Sequence, residues 1–171
     1  MATDTGYLAT RVVHTYTQRG LTVATCESLT AGLVAGTLAT VPGASKVLRG
    51  GLVTYASDVK SALAGVDAGL LETVGAVDAE VALQMARGAQ RTCEADVAVA
   101  CTGVAGPDAQ DGKPVGTVFI AVVTGDDESV CEHAFEGDRA AIRQKTVDAC
   151  CEALLRITSC GVSLNPVEDD L

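Results

Sequence analysis

The stretch that most limits what this chain can become is Leu21 to Ala39. Leu21-Thr22-Val23-Ala24-Thr25-Cys26 is a short run rich in β-branched residues, Glu27 to Gly32 is small and polar, and Leu33 to Ala39 is apolar again with residues a helix packs closely. The pattern predicts a strand, a tight turn and a helix. Backbone N–H groups at the start of a helix have no intrahelical partner, so an oxygen nucleophile or an anion held in such a turn is stabilised. Ser28 occupies that position.

The rest of the chain extends this unit. Asp4 to Arg19 sets Leu8, Val12, Thr15 and Tyr16 on one face of a first helix that Gly20 ends. After the Pro42-Gly43 stop, Val47 to Tyr55 reads as a strand interrupted by Gly50-Gly51, a pair that signals a bulge or a close approach by backbone or ligand. Ser57 is placed to cap a short helix running toward Gly65, with Tyr55 at the strand end and Lys60 one turn in, so both can face a cleft. Gly65 to Val77 reads as loop, and Asp78 caps a helix through Cys93. Asp96 to Thr102 is a continuous apolar strand of the kind buried in mid-sheet, and Thr102-Gly103-Val104-Ala105-Gly106 follows it directly. Small residues at such an exit let backbone N–H groups approach an anion. Val118 to Val123 and Val130 to Phe135 form a hairpin about the acidic turn 126–128, with His133 expected on an exposed face. Asp138 then caps a last helix from Arg139 to about Ser159. Arg139 and Arg143 share its first turns, where cations gain nothing from the helix dipole, which leaves an anionic ligand or a surface carboxylate as their partner.

This order predicts an α/β fold, a three-layer α/β/α sandwich around one mixed sheet of about five strands. One domain is expected over residues 1–162, with an acidic, disordered tail at 163–171. Only 3% of the residues are aromatic, so the core must come from Ala, Val and Leu. With 22 acidic against 12 basic residues and a net charge of -10, the chain has no basic face for nucleic acid. The four lysines among those basic residues and the excess of Asp over Glu fit either a high-salt cytoplasm or plain acidic solubility. Seven cysteines without a C-x-x-C pair read as buried thiols in a reducing cytoplasm, and no metal site or membrane span is expected.

Five segments, CESLTAG, VPGASKVLRGGLVTYASDVKSALAGV, GAVDAEVALQMARGA, CTGVAGPD with KPVGTVFIAV, and GDRAAIRQKTVDACCEALLR, together resemble the CinA C-terminal domain family in order and spacing. The resemblance covers nearly the whole chain. It implies the same sandwich, related in architecture to anticodon-binding domains, a relation that carries no function by itself. The family includes amidohydrolases that convert nicotinamide mononucleotide to nicotinate mononucleotide and ammonia. Its usual turn has Ala-Glu-Ser and then Cys-Thr-Gly-Gly. Here Glu27, Ser28, Thr30 and Gly32 match, while Ala31 stands where the family has Gly. Members often carry an additional N-terminal domain; this chain, read without one, is expected either to act as a standalone domain or to pair with a separate protein.

Amide hydrolysis of this kind needs a nucleophile, a group that takes its proton and donors for the oxyanion. Ser28 is the candidate nucleophile. Both histidines, His14 and His133, lie outside the motifs, so Lys60 with Tyr55 is the expected proton-handling set, and Glu27 is a rival base. Lys60 can act as a base only if its surroundings lower its pKa. The resemblance adds Thr102 and Gly103 as ligand contacts and directs Arg139 and Arg143 to a substrate phosphate; Glu27, Thr30, Gly32 and Gly51 complete the expected binding set. The resulting expectation is a cofactor-free, homo-oligomeric amidohydrolase acting on a small nucleotide. The alternative is an inactive nucleotide-binding regulatory or scaffold module.

Overall fold

The computed structural model describes residues 5–125 and 127–159. The proposed acidic tail and the 162 boundary lie outside them. Among the described residues five strands form one mixed sheet, and six α-helices cover it on both faces, as expected, with a single short 3-10 turn at Ala44–Lys46. The strands are β1 (Val23–Glu27), β2 (Leu48–Val53), β3 (Val97–Gly103), β4 (Thr117–Val123) and β5 (Glu128–Ala134), ordered β2-β1-β3-β4-β5. β1 is parallel to both β2 and β3, whereas β4 is antiparallel to β3 and to β5. The helices are α1 (Thr5–Arg19), α2 (Leu33–Ala39), α3 (Ser57–Ala64), α4 (Ala68–Val74), α5 (Ala79–Cys93) and α6 (Arg139–Ser159).

Alternation along the strands separates two cores. Val97, Val99 and Cys101 of β3 face one side with Val23, Ile120 and Val122, and there they bury the apolar faces of α1, α2 and α6. Ala98 and Ala100 face the other side with Ala24, Cys26 and Ala121, small residues against which Val81, Ala82, Met85 and Ala86 of α5 pack. Small side chains on that face let a helix lie close to the sheet, which is how a chain so poor in aromatics fills its interior.

The connections locate the site. From β1 the chain crosses one face through α2 to β2, then returns over the other face through α3, α4 and α5 to β3. The chain thus leaves β1 toward β2 and leaves β3 toward β4, in opposite directions along the sheet, and a crevice opens at the carboxyl ends of those two strands. Ser28 follows β1 and Val104 follows β3, so both turns singled out by composition meet there.

Three local expectations are corrected. Residues 65–77 are not all loop, because the Asp67 side chain accepts the Leu70 N–H at 2.7 Å and starts α4, whose half-buried Leu70, Leu71 and Val74 pack on the α5 core. The α3 cap is Ala56 rather than Ser57, and no side chain satisfies that helix start. His133 is half-buried rather than exposed, its ring stacked 5.1 Å from Phe135 and its Nε2 without a partner among the described residues. No described helix is long and apolar enough to cross a membrane.

Candidate active site

Strand β1 delivers Ser28 to the crevice in a fixed pose. In the parallel register Glu27 lies opposite Cys101, and the Ser28 N–H donates to the Cys101 carbonyl at 3.0 Å. Ser28 therefore stands beside Thr102, and its own N–H, spent on the sheet, is not an oxyanion donor. After Ser28 the backbone passes through two left-handed residues, Ala31 at φ 50° and Gly32 at φ 96°. This reversal folds the start of α2 back over the end of β1.

Glu27 receives that helix start. Its carboxylate accepts the N–H groups of Gly32 (3.0 Å), Val34 (3.0 Å) and Ala35 (2.8 Å) and the hydroxyls of Thr30 (2.6 Å) and Thr25 (3.1 Å). The orphan amides at the α2 start are thus filled from inside the protein. Neither rival base nor substrate contact suits Glu27, since its lone pairs are occupied. The same arrangement moves Thr30 and Gly32 from the expected ligand set into the turn's support. Gly51 belongs there too: a Cβ at that position would lie 2.5 Å from Thr25 Oγ1, so the close approach is by the neighbouring strand.

Lys60 enters from α3. Its side chain is 1% exposed, and Nζ donates to Ser28 Oγ at 3.0 Å, to the Thr54 carbonyl at 2.8 Å and to the Tyr55 carbonyl at 3.1 Å. Burial pushes the amine below its ordinary 10.5, opposed by the negative influence of Cys26, Cys101 and Asp111. Cys26, itself raised to about 12 by burial, carries a neutral thiol at pH 7 and gives no counter-charge. Two carbonyls thus hold two of the amine's tetrahedral directions, and the third points at Ser28. In the neutral amine that third direction is the lone pair, aimed at the serine hydroxyl.

Ser28, Lys60, Thr102, Gly103, Tyr55 and Arg139 all line one cavity of about 250 Å³. Tyr55 does not meet Ser28 or Lys60 through its hydroxyl. It is 55% exposed, its Oη accepts from Arg139 Nη2 at 2.7 Å, and Arg139 Nη1 also donates to the Gly106 carbonyl at 2.7 Å. The pair spans the cavity mouth. Its tyrosine contributes a backbone carbonyl, not a proton-handling phenol, to the Lys60 environment. Arg143 lies behind the wall, donating to the carbonyls of Leu29 (2.9 Å) and Thr30 (3.3 Å), which ties α6 to the Ser28 turn. Its partner is therefore backbone, neither phosphate nor carboxylate.

Sequence reasoning missed Ala76, Asp108 and Gln110, which also line the cavity. Ala76 carries no chemical signal of its own, and the loop 108–112 looked merely polar. Leu29, Ala105 and Gly106 line it as well, and among the described residues no protein acceptor takes their N–H groups. Tyr55, Ala56, Ser57 and Val77 line the cavity with N–H groups likewise untaken, so the candidate backbone donors for an oxyanion come from several sides of the wall.

Comparison with known proteins shows a family and a shared fold. The family described as CinA C-terminal domain matches residues 6–158. A CinA-like protein of Geobacter sulfurreducens is 46% identical over 138 residues, covering 80% of this chain but 33% of that protein. The chain spans about a third of the length of the curated relatives it matches. Among solved structures, a competence/damage inducible protein from Agrobacterium tumefaciens aligns with a TM-score of 0.88 at 39% identity, over 92% of this chain and 97% of that one. A CinA superfamily protein from Klebsiella pneumoniae aligns at 0.90 and 29% identity, over 93% and 100%.

Proposed function

This chain belongs to the CinA C-terminal domain family, and we propose that it is an amidohydrolase using Ser28 as nucleophile and Lys60 as general base. The observation that carries the reading is the 3.0 Å contact between Ser28 Oγ and a buried Lys60 Nζ whose other partners are two neutral carbonyls. Among the described residues no carboxylate forms an ion pair with Lys60; the Asp111 charge only partly opposes the effect of burial, and the lowered pKa gives a population of neutral amine able to take a proton.

The chemistry balances without a cofactor. Ser28 Oγ attacks the carboxamide carbon as its proton passes to Lys60 Nζ, and backbone N–H groups at the cavity wall receive the oxyanion. The Lys60 ammonium returns that proton to the leaving nitrogen, the C–N bond breaks, and ammonia departs from a seryl ester. Water then attacks the ester with Lys60 again as base, releasing the carboxylic acid and restoring Ser28. The substrate proposed is nicotinamide mononucleotide. A small-molecule cavity with Arg139 at its mouth, available to a phosphate, supports it.

The test is ammonia release from nicotinamide mononucleotide by the purified protein, at low and high salt, beside Ser28→Ala. Release that vanishes in the variant is the expected result. Folded wild-type protein that releases none at any salt level overturns the reading for this substrate.

A further inference from the structure

The cavity floor has a hydrogen-bond polarity fixed by a residue outside the reacting pair. Thr102 Oγ1 lies 2.7 Å from the Ala76 carbonyl in a buried contact. A carbonyl oxygen can only accept, so the single hydroxyl proton of Thr102 is committed to Ala76. What remains for the cavity is lone pairs. Turning the proton toward a ligand would strand a buried carbonyl, which is costly.

Ala76 is not free to follow. Its N–H donates to Asp111 Oδ2 at 2.8 Å. The preceding residue is Gly75 at φ +79°, where a Cβ would collide with the Asp111 side chain. The segment after α4 is therefore seated tightly on the 108–112 loop, and Asp111 acts as a positioning residue for the Ala76 carbonyl. Because Ser28 and Thr102 stand at adjacent strand ends, this acceptor lies beside the nucleophile.

A carboxamide offers two N–H donors and one acceptor oxygen, whereas the carboxylate formed from it offers acceptors only. We infer that Thr102 is the specificity-determining residue that reads the amide nitrogen of the substrate and disfavours the acid product, its hydroxyl polarity set by Ala76. The inference rests on the amidohydrolase reading for its ligand pair. It assigns a separate role: with oxyanion donors on the carbonyl oxygen and Thr102 on the nitrogen, the two ends of the amide are told apart, and the product is met by lone-pair repulsion.

The experiment measures binding rather than turnover. In Ser28→Ala protein, which cannot consume the ligand, calorimetric affinities are taken for nicotinamide mononucleotide and nicotinate mononucleotide, with Thr102 intact and in Thr102→Val and Thr102→Ser. The expected result with Thr102 intact is about a tenfold preference for the amide, retained in Thr102→Ser and reduced to near parity in Thr102→Val. Equal affinities with Thr102 intact, or an unchanged preference in Thr102→Val, overturn the inference while leaving the amidohydrolase reading in place. If neither nucleotide binds, both fall together. The comparison with Thr102 intact decides the matter even where Thr102→Val fails to fold.

Discussion

Glu27 and Lys60 are both 1% exposed, and both reach the Ser28 turn, yet the protein treats them in opposite ways. Glu27 is saturated by three amides and two hydroxyls, all supplied within twelve residues of chain around it. Lys60 has three neutral acceptors, one of which is the serine it would activate. A buried charge with every bond satisfied stabilises a local structure. One whose neutral partners leave burial to dominate is held with a lowered pKa, the state the proposed base requires. Burial alone therefore does not mark a catalytic residue; the nature of its partners does.

The largest expected effects separate these roles. Lys60→Met should cut amide hydrolysis by at least about a thousandfold, by analogy with loss of a general base and its nucleophile contact, while steady-state spectroscopy reports a folded protein. It should also change the pH dependence of stability. Because the folded chain holds the Lys60 proton less tightly than the unfolded one, wild-type stability rises with pH from the lowered pKa up to 10.5, and Lys60→Met should flatten that rise. Glu27→Ala should instead act through the fold. Removing five acceptor contacts should lower urea-unfolding stability by about 3–5 kcal/mol, with lost activity following lost structure. An undisturbed fold in Glu27→Ala would erase the contrast.

Smaller changes sharpen it. Tyr55→Phe removes only an exposed bond to Arg139, so it should change kcat by less than about fivefold; a loss of a hundredfold or more would restore the phenol as a proton carrier. Ala31→Gly should raise stability by about 0.5–1 kcal/mol, because Ala31 holds a left-handed backbone that glycine adopts without strain. Ala31 helps fold α2 back onto Glu27, so activity should be unaffected.

Much of this was legible in the sequence, and the exceptions share a cause. The α2 bounds, the buried mid-sheet strand and the meeting of Ser28 with Lys60 follow from periodicity, punctuation and a family resemblance. The assignments that moved are those in which a residue's partners come from folding. Glu27 sits next to the proposed nucleophile in sequence, and only the reversal at Ala31 and Gly32 shows that its carboxylate is already filled. Arg143 reads as a free cation until α6 docks against the Leu29 and Thr30 carbonyls. Tyr55, expected at a strand end, lies two residues beyond β2, with its side chain on Arg139 while its carbonyl serves Lys60. Residues 65–77 read as loop, although the Asp67 cap and an apolar stripe of Leu70, Leu71 and Val74 make α4 within them. Ala76 gave no signal, because its role is carried by a backbone carbonyl.

The central claim is that Lys60 works as an uncharged base on Ser28, and the direct measurement is kcat/KM for ammonia release from nicotinamide mononucleotide as a function of pH. The account predicts a rate that climbs with pH along an acid limb whose apparent pKa lies below the ordinary 10.5 of lysine, as the buried amine loses its proton. A rate that is independent of pH across that range, or that falls as pH rises through it, would contradict the assignment of Lys60 as the base.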